Sequence, residues 1–246
     1  MKRYAVVHEK YPREVVLLRG NGCSWGRCAF CDYFHDRHPN VMENVRFNRA
    51  VLEQVTGACG ALQVIDSASF NELPMDTLFD LCALCETRNI KTIILEQHWM
   101  FRGNNPRIKA MFARIGVACK FILGLESFDE AFRENFLNKC VGSVEPAEMA
   151  RHYDWVNLLC AVRGQTFAMI AEDIETALAH FERVTVNMFI PNASSVLRDD
   201  ALGWLFYESL LFQRIRKDPR VEILDILDDR APDRLGGVGY PKGEET

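Results

Sequence analysis

No basic tract, no basic tail and no long apolar run occurs in the 246 residues of this sequence, and no stretch rich in proline, glycine or serine divides it. The first absence, together with a formal net charge of −5, excludes the broad cationic face that non-specific nucleic-acid binding needs. Direct nucleic-acid binding is not expected. The opening Met-Lys-Arg-Tyr-Ala-Val-Val-His-Glu lacks the apolar core of a signal peptide, and the apolar runs farther on are too short to span a bilayer. A soluble, cytoplasmic protein with no membrane partner is predicted. With no linker and no internal repeat, one domain is expected over 1–246: an N-terminal extension at 1–13, a core at 14–192, and a C-terminal extension and tail at 193–246. The apolar fraction, 48%, is enough for a sizeable core.

A disulfide framework is also excluded. Nine cysteines are an odd number, and a reducing compartment disfavours pairing. Cys59, Cys82, Cys85, Cys119, Cys140 and Cys160 lie among apolar neighbours and read as small buried hydrophobes. The Cys82-x2-Cys85 pair falls inside a predicted helix without the strand that precedes a redox motif.

What the sequence does contain is an alternation of short β-branched runs with longer amphipathic stretches. Strands are predicted at 14–19, 61–66, 92–96, 120–125, 155–162 and 184–190, mostly as continuous apolar runs that suit parallel strands covered on both faces. Helices are predicted at 47–55, 75–85, 106–114, 128–137 and 166–181. These make six βα units, followed by a helix at 200–216, a seventh strand at 221–226 and a polar tail in which 236–239 and the closing Lys-Gly-Glu-Glu-Thr read as mobile. In such folds the active site lies at the C-terminal ends of the strands.

The loop after the first of these strands reads Cys23-Ser24-Trp25-Gly26-Arg27-Cys28-Ala29-Phe30-Cys31. Three thiolates so spaced can converge on one metal centre. A single zinc needs a fourth ligand, which His35 or His38 can supply. A four-iron cubane held by three cysteines instead leaves one iron open to a small molecule. A zinc knuckle usually sits in a small domain, whereas this loop caps the first strand of a large α/β unit, and that context favours the cubane. An electron carrier normally has a cluster fully ligated by protein, and no close fourth cysteine is present.

The cysteine loop resembles that of the radical S-adenosylmethionine superfamily, with C-x4-C-x2-C in place of the usual C-x3-C-x2-C. The resemblance implies an α/β fold, a partial (β/α)6 TIM-like barrel with a short C-terminal helix and strand extension. It also implies a 4Fe-4S cluster on Cys23, Cys28 and Cys31, S-adenosyl-L-methionine as cofactor, and a reductase or a flavodoxin- or ferredoxin-type electron donor as partner. Phe30, just before the last cysteine, matches the aromatic residue that packs near adenine. After the second strand, Asp66-Ser67-Ala68-Ser69-Phe70 stands where relatives carry Gly-Gly-Glu, so Ser67 and Ser69 are expected to hold the cofactor's amino group. Gly124-Leu125-Glu126-Ser127 resembles a segment whose acid faces the cofactor. Arg163-Gly164-Gln165-Thr166 resembles the Pro-Gly-Gln-Thr of relatives, and Phe189 and Pro191 are expected to flank adenine.

Residues 1–19, the segment GCSWGRCAFCDY at 22–33, EQHWM at 96–100 and HFERVTVN at 180–187 are more narrowly similar to the queuine lyases of queuosine salvage. That resemblance implies cleavage of the glycosidic bond of queuosine 5′-phosphate, with release of queuine. A carboxylate suits the N–H edge of a deazaguanine, which selects Glu96. An aromatic face suits stacking, which selects Trp99 with His98 beside it. A guanidinium suits phosphate, which selects Arg27 and Arg163. Asp32 and Tyr33 follow the cluster directly, with His35 close behind. Each has a structural alternative: a pairing role for Glu96, core positions for His98 and Trp99, plain surface charge for the two arginines. Asn187 can cap barrel hydrogen bonds. Another nucleoside, a tRNA base or a peptide as substrate, and a zinc-stabilised binding module, remain as other readings of the same residues.

Overall fold

A computed structural model describes residues 1–233 and 238. The glycine-rich stretch predicted to be mobile, apart from Val238, and the closing Lys-Gly-Glu-Glu-Thr lie outside the described residues. Eight strands form one sheet in sequence order. Strand β1 (Tyr4–Val7) pairs antiparallel with β2 (Arg13–Leu18). From β2 the sheet is parallel through β3 (Ala61–Asp66), β4 (Thr92–Gln97), β5 (Ala118–Glu126), β6 (Trp155–Cys160), β7 (Arg183–Met188) and β8 (Val221–Leu224). The helices are α1 (Val41–Leu52), α2 (Met75–Thr87), α3 (Asn105–Ala113), α4 (Pro146–His152), α5 (Phe167–His180), α6 (Asp200–Glu208) and α7 (Leu210–Ile215). The main core lies between strands and helices, built from residues such as Leu18, Leu62, Phe112, Phe121, Ile170 and Phe206.

Strand twist curls this sheet into a partial barrel. The curl brings β2 within side-chain reach of β8. Arg13 donates from both terminal nitrogens to Glu222, 2.7 Å each, and from Nε to Gln63 of β3 at 2.6 Å. Beside this buried pair, Lys10 reaches Asp233 at 2.8 Å.

All six predicted core strands and the seventh are present, with ends displaced by a residue or two. Three departures have local causes. Helix α1 starts at 41 rather than 47 because the Asn40 side chain accepts from the N–H groups of Met42 and Glu43. The stretch predicted as a helix at 128–137 holds a single π-helical turn, Phe132–Phe136. The buried Arg133 guanidinium there donates to the carbonyls of Ser127, Phe128 and Gly142, which bends the chain. The helix at 200–216 divides at Ser209, whose hydroxyl donates to the Phe206 carbonyl and accepts from the Phe212 N–H. The short β1 and α4 carried too little pattern to be recognised. No helix among the described residues is long and apolar enough to cross a membrane.

Candidate active site

A cavity of about 490 Å³ opens among the C-terminal strand ends and runs down the barrel interior, from the cysteine loop to Gln63, Thr185 and Glu222. Cys23, Cys28 and Cys31 all line it, and no other cysteine does among the described residues. The Gly26 N–H donates to Cys23 Sγ at 3.3 Å. Burial pushes the Cys28 thiol up to about 12 and raises Cys31 as well. Thiols so placed ionise when a metal displaces the proton. No three His, Cys, Asp or Glu side chains among the described residues are gathered around one ion position. A cubane does not require that, because each thiolate binds a different iron at its own corner. Three thiols facing one cavity, with no fourth cysteine on it among the described residues, fit a cluster with one open iron.

The loop is seated on an arch at 137–140. The Ala29 N–H donates to the Leu137 carbonyl at 2.9 Å, Trp25 Nε1 to the Asn138 carbonyl at 2.7 Å, and Asn138 Nδ2 to the Arg27 carbonyl at 2.8 Å. Asn138 and Cys140 take left-handed backbone, φ 54° and 60°. Between them, Lys139 turns inward. The extra residue of C-x4-C lies in the segment that Trp25 and Arg27 fix to this arch. Under the loop, Ala29 and Phe30 pack on Phe132, Leu137, Leu159, Val162, Phe189 and Val196.

Lys139 Nζ pairs with Glu126 Oε1 at 2.8 Å and stands 5.3 Å from the centroid of the Phe30 ring. Burial alone would lower the lysine pKa, but the Glu126 carboxylate outweighs it and holds the amine charged. Glu126 ends β5 at φ 77°, next to a register shift after Gly124. A Cβ on Gly124 would lie 3.3 Å from Glu126 Oε1 and from Lys139 Nζ, and 3.6 Å from Glu96 Oε1. A side chain at 124 would crowd Glu126 and Lys139, so glycine eases the approach of these groups. Glu96, at the end of β4, faces the cavity; burial and the Glu126 charge push its carboxyl up to about 7, against the pull of Lys139 and Asn157.

Of the remaining sequence-predicted residues, Phe30, Asp32, Tyr33, Ser69, Glu96, His98, Glu126, Phe189 and Pro191 line the cavity, whereas Ser67, Trp99, Arg27 and Arg163 do not. Ser67 Oγ accepts from the Gly20 N–H at 3.1 Å, and Ser69 Oγ from the His98 N–H at 3.1 Å, so both hydroxyls hold backbone. The Trp99 ring is buried against His152 and Tyr153 at centroid distances of 5.6 and 5.9 Å, with Arg102 on its face. It is core, because the 99–104 turn directs it away from the barrel interior. Arg27 is exposed beside the Trp25 ring, and Arg163 is exposed at the end of β6, where Gln165 clamps the carbonyl of Leu159 and the N–H of Val162. His98 is neutral: burial lowers its pKa to about 4. Its Nδ1 accepts from the Met100 N–H, which leaves Nε2–H to donate to the Lys139 carbonyl at 2.7 Å. Asp32 accepts from the Ala193 N–H, and the Phe30 carbonyl accepts from Asn192, tying the cysteine loop to the segment after β7.

Sequence reading missed Asp66, Lys139 and Asn157. Asp66 and Asn157 carried a usable signal, as polar residues in otherwise apolar strands. Lys139 carried none, since its position depends on the arch.

No family model matches the chain, and no curated protein matches it. Among solved structures, a queuine lyase from Clostridium spiroforme bound to SAM and queuine is similar at a TM-score of 0.88 and 32% identity, covering 92% of this chain and 96% of that one. Methylornithine synthase is similar at a TM-score of 0.57 and 16% identity, covering 85% of this chain and 63% of that one, which shows a shared fold alone.

Proposed function

Because the chain belongs to the queuine lyase family of radical S-adenosylmethionine enzymes, we propose that it cleaves the glycosidic bond of queuosine 5′-phosphate and releases queuine. The observation that carries this reading is the meeting, in one cavity, of Cys23, Cys28 and Cys31 with the carboxylate of Glu96 and the amide of Asn157. The three thiols that would hold a cluster and polar groups suited to a purine-like edge thus share one cavity.

When bound, the 4Fe-4S cluster and S-adenosyl-L-methionine would supply radical hydrogen-abstraction chemistry, with one electron from the donor and methionine as the leaving group. The chain's own part is to hold, orient and exclude water. Cys23, Cys28 and Cys31 would hold the cluster. Phe30, Phe189 and Pro191 would enclose the adenine, and Glu126, paired with Lys139, would face the cofactor. Glu96 and Asn157 would accept from and donate to the deazaguanine edge, with Asp32 and Tyr33 next to the nucleotide. Arg27 and Arg163, exposed as they are, have no part in this site. The electron would come from a reductase or a flavodoxin- or ferredoxin-type donor in the cytoplasm.

The test is direct. Anaerobically reconstituted, reduced protein should contain about four irons per chain and, with S-adenosyl-L-methionine and queuosine 5′-phosphate, should form 5′-deoxyadenosine and free queuine. If 5′-deoxyadenosine stays at its substrate-free level and no base is released, the lyase reading is wrong.

A further inference from the structure

We propose that the solvent side of the cysteine loop, with the loops packed against it, is the docking face for an acidic one-electron carrier protein, engaged by Arg27 and Arg163. The inference rests on the cluster assignment made above.

The three thiols line the cavity, whereas Ser24, Gly26 and Arg27 between them are exposed. Three other segments surround this exposed side. The arch at 137–140 holds the loop through Trp25, Ala29 and Asn138. The segment after β7 holds it through Asn192, whose Nδ2 donates to the Phe30 carbonyl at 2.9 Å. The turn after β6 joins both. There the Arg163 N–H donates to the Leu197 carbonyl at 2.8 Å, and a Cβ on Gly164 would lie 3.7 Å from the Phe136 ring. Together these segments make one collar around the loop.

Acids outnumber lysine plus arginine in the whole chain, 34 to 29, yet no Asp or Glu occurs in 21–31, 135–144, 161–171 or 189–197. The same stretches carry Arg27, Lys139 and Arg163. Lys139 is turned inward to Glu126. Arg27 and Arg163 are exposed, and neither makes an ion pair among the described residues. Phe136 and Leu197 add exposed apolar side chains to the collar. The acids at its edges are engaged: Asp32 by the Ala193 N–H, Glu72 by the Ser24 N–H, and Glu134 by Arg133 and the Val141 N–H.

Two unpaired guanidinium groups on a face without opposing acids give it a positive potential that the net charge of −5 opposes elsewhere. The face is too small for a nucleic-acid backbone, which needs many phosphate contacts. It suits an encounter with an acidic protein, in which complementary charge sets the association rate and a small interface lets the partner leave. Small flavin and iron–sulfur carriers are acidic proteins of this kind. A carrier seated there lies over the Cys23–Cys28 segment itself, one loop away from the thiols. One electron passes from its reduced centre to the oxidised cluster, and no bond or proton moves.

The experiment mixes cluster-loaded protein with a separately reduced flavodoxin in a stopped-flow instrument and follows the cluster absorbance, with no nucleotide present. The wild-type rate should fall as salt rises. Arg27→Gln with Arg163→Gln should lower the second-order rate constant at low salt about tenfold and flatten its salt dependence. Arg163→Gln alone, which leaves the cysteine loop untouched, should lower it about threefold. Arg88→Gln with Arg114→Gln removes two exposed charges outside the collar and should change the rate less than about twofold. Iron per chain and direct photoreduction by the small uncharged reductant 5-deazariboflavin should match wild type in every variant. The proposal is overturned if the collar variants are reduced by flavodoxin at the wild-type rate, or if the remote pair slows reduction equally. It is also overturned if photoreduction slows in proportion, since the arginines then act on the cluster and not on docking. A wild-type rate together with lost tRNA binding would assign the collar to RNA instead. Because no nucleotide enters the assay, a chain that fails to release queuine from queuosine 5′-phosphate still reports on its carrier, and the two readings fail separately.

Discussion

At the scale of single residues, three buried ionisable groups make measurable demands. Lys139 and Glu126 form an ion pair whose side chains are 10% and 9% exposed. Removing one partner of such a pair leaves the other charge stranded, at a cost of about 3–5 kcal/mol, whereas replacing both with neutral groups is far milder. Lys139→Met should therefore lower the urea midpoint strongly, and Lys139→Met with Glu126→Gln should recover most of the loss. Equal losses in the single and double variants would show that the pair is not what holds the lysine in place. Asp173 on α5 accepts from Ser127 Oγ at 2.7 Å and from the Phe128 N–H at 2.6 Å, yet burial pushes its carboxyl up from 3.8 to about 6. Its folded pKa lies above its unfolded value, so its contribution to stability is full below about pH 4 and is lost as the pH rises through 6. Two pKa units correspond to about 3 kcal/mol. The difference in unfolding free energy between wild type and Asp173→Asn should thus shift by that order in favour of the variant between pH 4 and pH 7. A pH-independent difference would contradict the shift.

At the scale of elements, the arch at 137–140 matters most. A loop with an unusual cysteine spacing is held by a second loop more than a hundred residues away in sequence, through Trp25, Ala29 and Asn138. Asn138→Ala removes the bond from Nδ2 to the Arg27 carbonyl and places an alanine at φ 54°. The lost bond is worth about 1 kcal/mol and the left-handed backbone about another. Asn138→Gly keeps the backbone free of strain and loses only the bond. Alanine should cost about 2 kcal/mol and glycine about half of that, read from denaturant midpoints, with iron per chain falling in the same order. If glycine proves the worse of the two, backbone strain is not part of the device.

At the scale of the whole molecule, the curl of the sheet depends on more than strand pairing. Arg13 and Glu222 join β2 to β8 across the interior with side chains 1% and 6% exposed. Arg13→Met should cost about 3 kcal/mol, the low end for breaking a buried pair because Arg183 still reaches Glu222 at 3.4 Å, and Glu222→Gln added to it should recover part of the loss. A surface-sized effect, below about 1 kcal/mol, would mean that the two strands are held together by packing alone.

Much of this was legible in the chain itself. Continuous apolar runs at regular intervals specify parallel strands, because a strand covered on both faces has no polar side to show. Thiol spacing marked a candidate metal loop, because three close thiolates can converge on one centre. Glu96 and Glu126 were legible as strand-end acids. Other features were decided only by tertiary structure. Whether an arginine faces substrate or solvent depends on which side of a loop it occupies, and Arg27 and Arg163 turned outward. Whether a serine hydroxyl is engaged by the fold depends on which backbone N–H comes near it, and Ser67 and Ser69 each accept one. Lys139 enters the cavity because Arg133 bends the chain before it and left-handed backbone flanks it, a combination of distant carbonyls and local strain that no periodicity records. Local patterning thus determined the elements and singled out the cysteine loop, since propensity and spacing act over a few residues. The electrostatic character of the site was set by folding, since burial and charge pairing depend on residues brought together from the whole length of the chain.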